Sequence, residues 1–153
     1  MTAKTAASHV RPRICIRKIK SEWGKLADAY YPGDVVYESA AGTWTAVTTG
    51  VGQLNRVGVI NEKPRIDSNF ARKDIDEAFA AGDNVEIIGL GDVVCSITDQ
   101  NASRLRGVDL TYSATAGALT AAAATEKILA TVLDAVADND TKASVRLVGT
   151  GWV

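Results

Sequence analysis

Gly33-Asp34-Val35-Val36-Tyr37-Glu38-Ser39-Ala40-Ala41-Gly42-Thr43-Trp44-Thr45 has a counterpart in Val108-Asp109-Leu110-Thr111-Tyr112-Ser113-Ala114-Thr115-Ala116-Gly117-Ala118-Leu119-Thr120. Asp34, Tyr37, Gly42 and Thr45 recur 75 positions later as Asp109, Tyr112, Gly117 and Thr120. Each copy reads as a strand, a turn of small residues and a second short strand, the pattern of a β-hairpin. A further apolar run follows in both halves, Val57-Gly58-Val59-Ile60 and Ile128 to Leu133. The spacing predicts two related β units packed into one body.

The flanking sequence extends that pattern. Val85-Glu86-Ile87-Ile88 and Val93-Val94-Cys95-Ser96-Ile97 read as two strands, with Gly89-Leu90-Gly91-Asp92 between them at a length suited to a hairpin turn. Gly33-Asp34, Gly82-Asp83 and Gly91-Asp92 are expected to turn the chain, since glycine supplies dihedral freedom and aspartate bonds back to nearby amides. Ala143 to Val148 alternates as a last strand. Ile66, Phe70, Ile75 and Phe79 recur at near-helical intervals, predicting a short helix from Arg72 or Lys73 to Ala80 or, equally, an extended loop, within an insertion at 61–81. Strand after strand with short turns gives an all-β or mainly β fold, a small barrel or sandwich built from hairpins.

With 153 residues, 46% of them hydrophobic, the chain has material for one cooperative domain. Its net charge of -1 conceals a division. Residues 1–25 hold Lys4, Arg11, Arg13, Arg17, Lys18, Lys20 and Lys25 against Glu22 alone, a segment of +6 attached to a remainder of -7. The reading is therefore an extended basic N-terminal arm at 1–31 and a single β-rich domain at 32–153. Such an arm suits docking on an acidic surface. Arg13 to Lys20 alternates imperfectly, which fits an edge strand or an extended arm. The arm lacks dense basic runs interleaved with stacking aromatics, so direct nucleic-acid binding is not expected. No apolar segment long enough for a signal peptide or membrane span is found.

Familiar site chemistry is not assembled by spacing. His9 is the only histidine, Cys15 and Cys95 are far apart and read as small buried thiols, and neither a dinucleotide fingerprint nor a phosphate loop is present. Asp138-Asn139-Asp140 lacks the remainder of a calcium loop, and Asp74, Asp76 and Glu77 read as a helix-start cluster. The expectation is no enzyme activity, no metal and no cofactor. The aromatics are more informative. Trp44 reads as hairpin core, while Trp23 and Trp152 read either as core caps or as subunit contacts, and Tyr30 and Tyr31 bracket the entry to the body.

The runs Gly82 to Ile88, Gly91 to Val94, Leu110 to Thr120, Ile128 to Thr141 and Val145 to Leu147 resemble the small β-rich head decoration, or capsid cement, proteins of tailed bacteriophages and related viruses, across 32–149. The resemblance is one of layout and turn chemistry. It implies a non-enzymatic virion protein on the outer capsid surface, present in the host cytoplasm during assembly, bridging major capsid protein subunits as a homo-oligomer, most simply a trimer. It also implies that Arg11, Arg13, Arg17, Lys18, Lys20, Trp23, Tyr30, Tyr31, Phe70, Phe79 and Trp152 are contact residues. Another virion component, such as a minor capsid, tail or baseplate module, is the first alternative. A carbohydrate-binding or enzymatic β domain, with Trp44, Tyr37 and Tyr112 lining a sugar surface, is the second.

Overall fold

The computed structural model describes residues 14–49, 55–62, 77–98, 105–135 and 141–152. Among them nine strands form one hydrogen-bonded sheet: β1 (Cys15–Leu26), β2 (Val35–Ala40), β3 (Thr43–Ala46), β4 (Val57–Ile60), β5 (Asn84–Ser96), β6 (Asp109–Tyr112), β7 (Leu119–Ala121), β8 (Ala130–Val132) and β9 (Lys142–Leu147). The fold is mainly β. The order β1-β3-β2-β4-β5-β9-β8-β6-β7 contains the same arrangement twice. In each half the first strand of the hairpin lies between its partner and the third strand, giving β3-β2-β4-β5 and β7-β6-β8-β9. The two halves meet along the antiparallel β5–β9 pair. The repeated glycines keep their role as well, Gly42 with φ 75° and Gly117 with φ 81°, left-handed values that favour a residue without Cβ.

β5 is the shared spine. Ile87 and Ile88 pair with β4 on one edge and with β1 on the other, whereas Asp92 and Val93 pair with β9 and with β1. One edge of β5 therefore serves the first unit and then the second, while β1 runs along the opposite edge through both. Pairings β1–β3, β3–β2, β2–β4, β4–β5 and β5–β1 close a circuit in the first unit. In the second unit Ile97, just beyond β5, bridges Leu119 of β7 in parallel.

The segment expected to be a hairpin turn, Gly89 to Asp92, is instead the middle of this continuous 13-residue strand. The glycines are there for closeness of approach. A Cβ on Gly89 would fall inside the Trp152 indole, and one on Gly91 would overlap the Arg17 carbonyl. β1 has register shifts at Lys18/Lys20 and Lys20/Ser21, opposite the same point, so both strands change course where β5 passes from one unit to the next. Gly33 and Gly82 do turn the chain as expected: Asp34 accepts from the Tyr31 amide at 2.9 Å, and Asp83 from the Ala80 amide at 2.9 Å. Asp92 lies in a strand, so its pair with Gly91 does not form a turn.

Alternation along the spine feeds two apolar clusters. Val36, Ile60 and Ile87 join Leu26, Trp44, Phe79 and Val85 in one. Their neighbours Val35, Val59 and Ile88 join the second-unit residues Leu110, Leu119, Leu129, Val132 and Val145 in the other. A wall of β2, β4 and β5 is thus buried on both faces, which explains why Val57-Gly58-Val59-Ile60 is apolar throughout.

Cys15 to Leu26, read as part of an extended arm with an edge strand as the alternative over Arg13 to Lys20, is a strand of the sheet, and Ile14 before it is buried. Its bulges erase the clean alternation that marks a strand in sequence. Residues 77–80 are extended, with Phe79 bridging Tyr30, so the expected helix does not reach its proposed end at Ala80. The remainder of that helix, and residues 63–76 of the insertion expected at 61–81, lie outside the described residues. Among the described residues no helix is long and apolar enough to cross a membrane.

Two substitutions test this packing by thermal or urea denaturation. Gly89→Ala is expected to destabilise by about 2–3 kcal/mol through overpacking against Trp152, and in a Trp152→Gly background it should cost far less; equal costs in both backgrounds would refute the contact. Thr111 is fully buried in β6 with its hydroxyl unpartnered, so Thr111→Val is expected to stabilise by about 1 kcal/mol.

Candidate interaction surface

β1 pairs with β5 from Cys15 to Lys25 but with β3 only at Lys25 and Leu26. Among the described residues, most of its length is therefore covered by a strand on one edge alone. Ile16, Ile19 and Trp23 are 54%, 51% and 61% exposed, high for large apolar side chains on a single strand. By register Trp23 lies opposite Glu86, on the face where the Glu86 carboxylate binds its partners.

Arg17 and Lys18 of β1 are tied into the body. Lys18 Nζ donates to Glu86 Oε2 at 2.8 Å, Ser21 donates to the same oxygen at 2.8 Å, and Asn61 donates to Oε1 at 2.7 Å. Burial pushes the Glu86 carboxyl up, but these hydrogen bonds and the Lys18 charge outweigh it and hold the group below the ordinary carboxylate range. Lys18 is raised in turn by the hydrogen bond and charge of Glu86. Asp92, largely buried, is gripped by Arg146 through Nε at 3.0 Å and Nη2 at 3.4 Å, with Arg17 Nε at 3.8 Å. The acidic surface on which Arg17 and Lys18 rest is thus partly the protein's own β5.

A second cluster joins the C-terminal tail to the first unit. Trp152 packs on Gly89, donates from Nε1 to the Val57 carbonyl at 2.8 Å, and stacks on Trp44 with ring centroids 6.1 Å apart. The Arg56 guanidinium lies 4.3 Å from the Trp152 ring centre and 5.5 Å from that of Trp44. It pairs with Glu38 at 3.4 Å and with Glu22 of β1. Gly24 leaves room for the Trp44 indole.

A third cluster lies at the seam. Ser96 donates to Asp34 Oδ1 at 3.1 Å, and Lys142 Nζ donates to Ser96 Oγ at 3.2 Å and to the Pro32 carbonyl at 3.3 Å. Burial raises the Asp34 carboxyl, opposed by the Tyr31 amide, the Ser96 hydroxyl and the Lys142 charge. Cys95 beside it is buried and pushed up to about 12, so it stays a thiol, whereas Cys15 is only half-buried. Among the described residues no group of three or more metal-type side chains converges.

The expected contact residues separate accordingly. Trp23 and Tyr31 are exposed, and Arg17, Lys18 and Lys20 lie on the exposed strand β1. Tyr30, Phe79 and Trp152 are drawn into the first-unit core and do not form a free surface. Trp44 is fully buried and so forms no part of an exposed sugar-binding face, while Tyr37 and Tyr112 pack partly buried against the apolar cluster of Leu110, Leu119 and Val145. Arg11, Arg13, Phe70, His9 and the Asp74, Asp76 and Asp138–Asp140 groups lie outside the described residues. Sequence reasoning passed over Arg56, Glu86 and Asp92. For Glu86 and Asp92 the available signal was a charge standing inside an apolar strand run, a position tolerated only with a partner.

No family model matches the sequence, and no curated protein matches it. Among solved structures the chain is similar to the N base of the head fiber gp8.5 in bacteriophage phi29, with a TM-score of 0.47 and 6% identity, over 86% of this chain and 95% of that one.

Glu86 provides a pH test. Its folded-state carboxyl is held below the unfolded value, so its contribution is present above the ordinary glutamate range and is lost as pH falls through the folded value; Asp34, raised by burial, has the opposite sign. Glu86→Gln is expected to lower stability by about 1–2 kcal/mol near neutral pH. That gap should close as denaturation is repeated down to about pH 3; a gap independent of pH would show that the carboxylate charge is not what binds β1.

Proposed function

We propose that this chain is a structural virion protein that decorates the outer surface of an icosahedral capsid and stabilises it by bridging major capsid protein subunits, catalysing no reaction of its own. The observation that carries the reading is the contrast between a body whose polar clusters are engaged in joining strands and a surface bearing bare large apolar side chains: Ile16, Ile19, Trp23, Tyr31, Leu105, Ile128 and Val148. Exposed apolar groups of this size on a β body suit lasting contact with other protein surfaces. The resemblance of the sequence to capsid decoration proteins in layout and turn chemistry supports the same reading, and the mainly β architecture agrees with it. Many copies on a fixed lattice need only modest individual interfaces, because local concentration supplements pairwise affinity. The reading includes a homo-oligomer, a trimer in its simplest form, with Arg17, Lys18, Lys20 and Trp23 among the contacts.

Purified virions of the virus encoding this chain, prepared with and without it, provide the test. Particles lacking it should lose regularly repeated density from the outer surface and release their nucleic acid at a lower temperature. Unchanged shells would refute decoration, and six or twelve copies per particle would move the assignment to a connector, tail or baseplate module.

A further inference from the structure

We infer that the C-terminal tail is a strap on the N-terminal strand: Trp152, in its seat, holds Arg56 where it grips Glu22 of β1, so that tail and strand loosen together when the indole lifts. The inference stands on the packing of the first unit and does not depend on what the protein binds.

The tail is lightly held except at its indole. Beyond β9 it folds back through Gly149 and Gly151, both with φ 77°. Among the described residues one backbone hydrogen bond, from the Val57 amide to the Thr150 carbonyl at 3.1 Å, joins it to the first unit. Trp152 supplies the rest, with Nε1 donating to the Val57 carbonyl at 2.8 Å and the ring lying over Gly89 and against Trp44. One side chain therefore decides whether the tail is seated. The platform belongs to the first unit, since the position matching Trp44 in the second hairpin is Leu119.

Arg56 carries the effect to β1. Its guanidinium lies closer to the Trp152 ring than to that of Trp44, at 4.3 Å against 5.5 Å, and its carboxylate partners are Glu22 of β1 and Glu38 of β2. With the indole seated, the Arg56 side chain is only 27% exposed. With the tail lifted, the guanidinium faces water, where an ion pair contributes little. Strand β1 is built to respond at this point. Register shifts between Lys18 and Lys20 and between Lys20 and Ser21 interrupt its pairing just before Glu22, so Glu22 to Lys25 can loosen while Cys15 to Lys18 stay paired. Linkage makes the coupling reciprocal, so loss of the Glu22 carboxylate loosens the tail.

Amide hydrogen exchange of the full chain, read residue by residue by NMR, provides the test. Trp152→Ala is expected to speed exchange at Glu22 to Lys25 about tenfold, with the amides of β6 and β8 unchanged. Glu22→Ala should speed exchange of the Val57 amide, which the seated tail protects, by a similar factor. Arg56→Met keeps an apolar side chain between the strands and removes the charge; in that background Trp152→Ala should change exchange at Glu22 to Lys25 by less than about twofold. Trp152→Phe retains a ring without the Nε1 donor, so it should act in the same direction by a smaller factor, and it keeps the test valid if Trp152→Ala fails to fold. Unchanged exchange in β1, exchange speeded equally through β6 and β8, a Val57 amide indifferent to Glu22→Ala, or an undiminished effect in the Arg56→Met background each overturns the inference.

Discussion

Close approach at Gly89 and Gly91 is the constraint on which the architecture depends. β5 must serve the first unit with one part of an edge and the second unit with the next, and at the changeover it is met by the Trp152 indole and by the β1 backbone. Side chains at these two positions would occupy the space of both neighbours. Two glycines therefore allow a single strand to be common to two hairpin units, and the 13-residue length of β5 follows from that double duty. The halves share a wall apolar on both sides, so neither unit has a complete core without the other.

Electrostatics then seats the strand that runs along the whole spine. Burial of Glu86 and Asp92 on β5 would be costly without cations, and the cations come from β1 and β9. The division between a basic N-terminal segment and an acidic remainder is thereby used in part inside the molecule. What remains exposed on β1 are Ile16, Ile19 and Trp23, each more than half open to solvent.

The internal repeat was legible because turn chemistry is local. Gly42 and Gly117 need positive φ, and the hairpins on either side of them need alternating apolar positions, so the four matched residues carry through to the same strand order in both halves. The turns at Gly33-Asp34 and Gly82-Asp83 were legible for the same reason. Gly89-Leu90-Gly91-Asp92 misled because glycine has two uses, to bend a chain and to admit a neighbour, and only the tertiary structure distinguishes them. Strand β1 was legible only in part, as an edge-strand alternative over Arg13 to Lys20, because bulges break its alternation and its charge looks in composition like a tail. Of the contact residues, the exposed ones on β1 were visible as a basic, aromatic-bearing segment, whereas the burial of Tyr30, Phe79 and Trp152 depends on partners distant in the chain. Arg56 gave no local sign, since its role comes from two indoles and two carboxylates brought to it from four other segments.

The tail that leaves β9 returns to the first unit, and its indole comes to rest 6.1 Å from that of Trp44 with the planes inclined by 24°. Two chromophores at that separation couple their excited states, so the molecule contains an optical gauge of its own assembly. A paired band in the circular dichroism of the indoles is expected only while Trp152 is docked on Trp44, so the seating of the tail on the first unit can be followed by light without attaching any label.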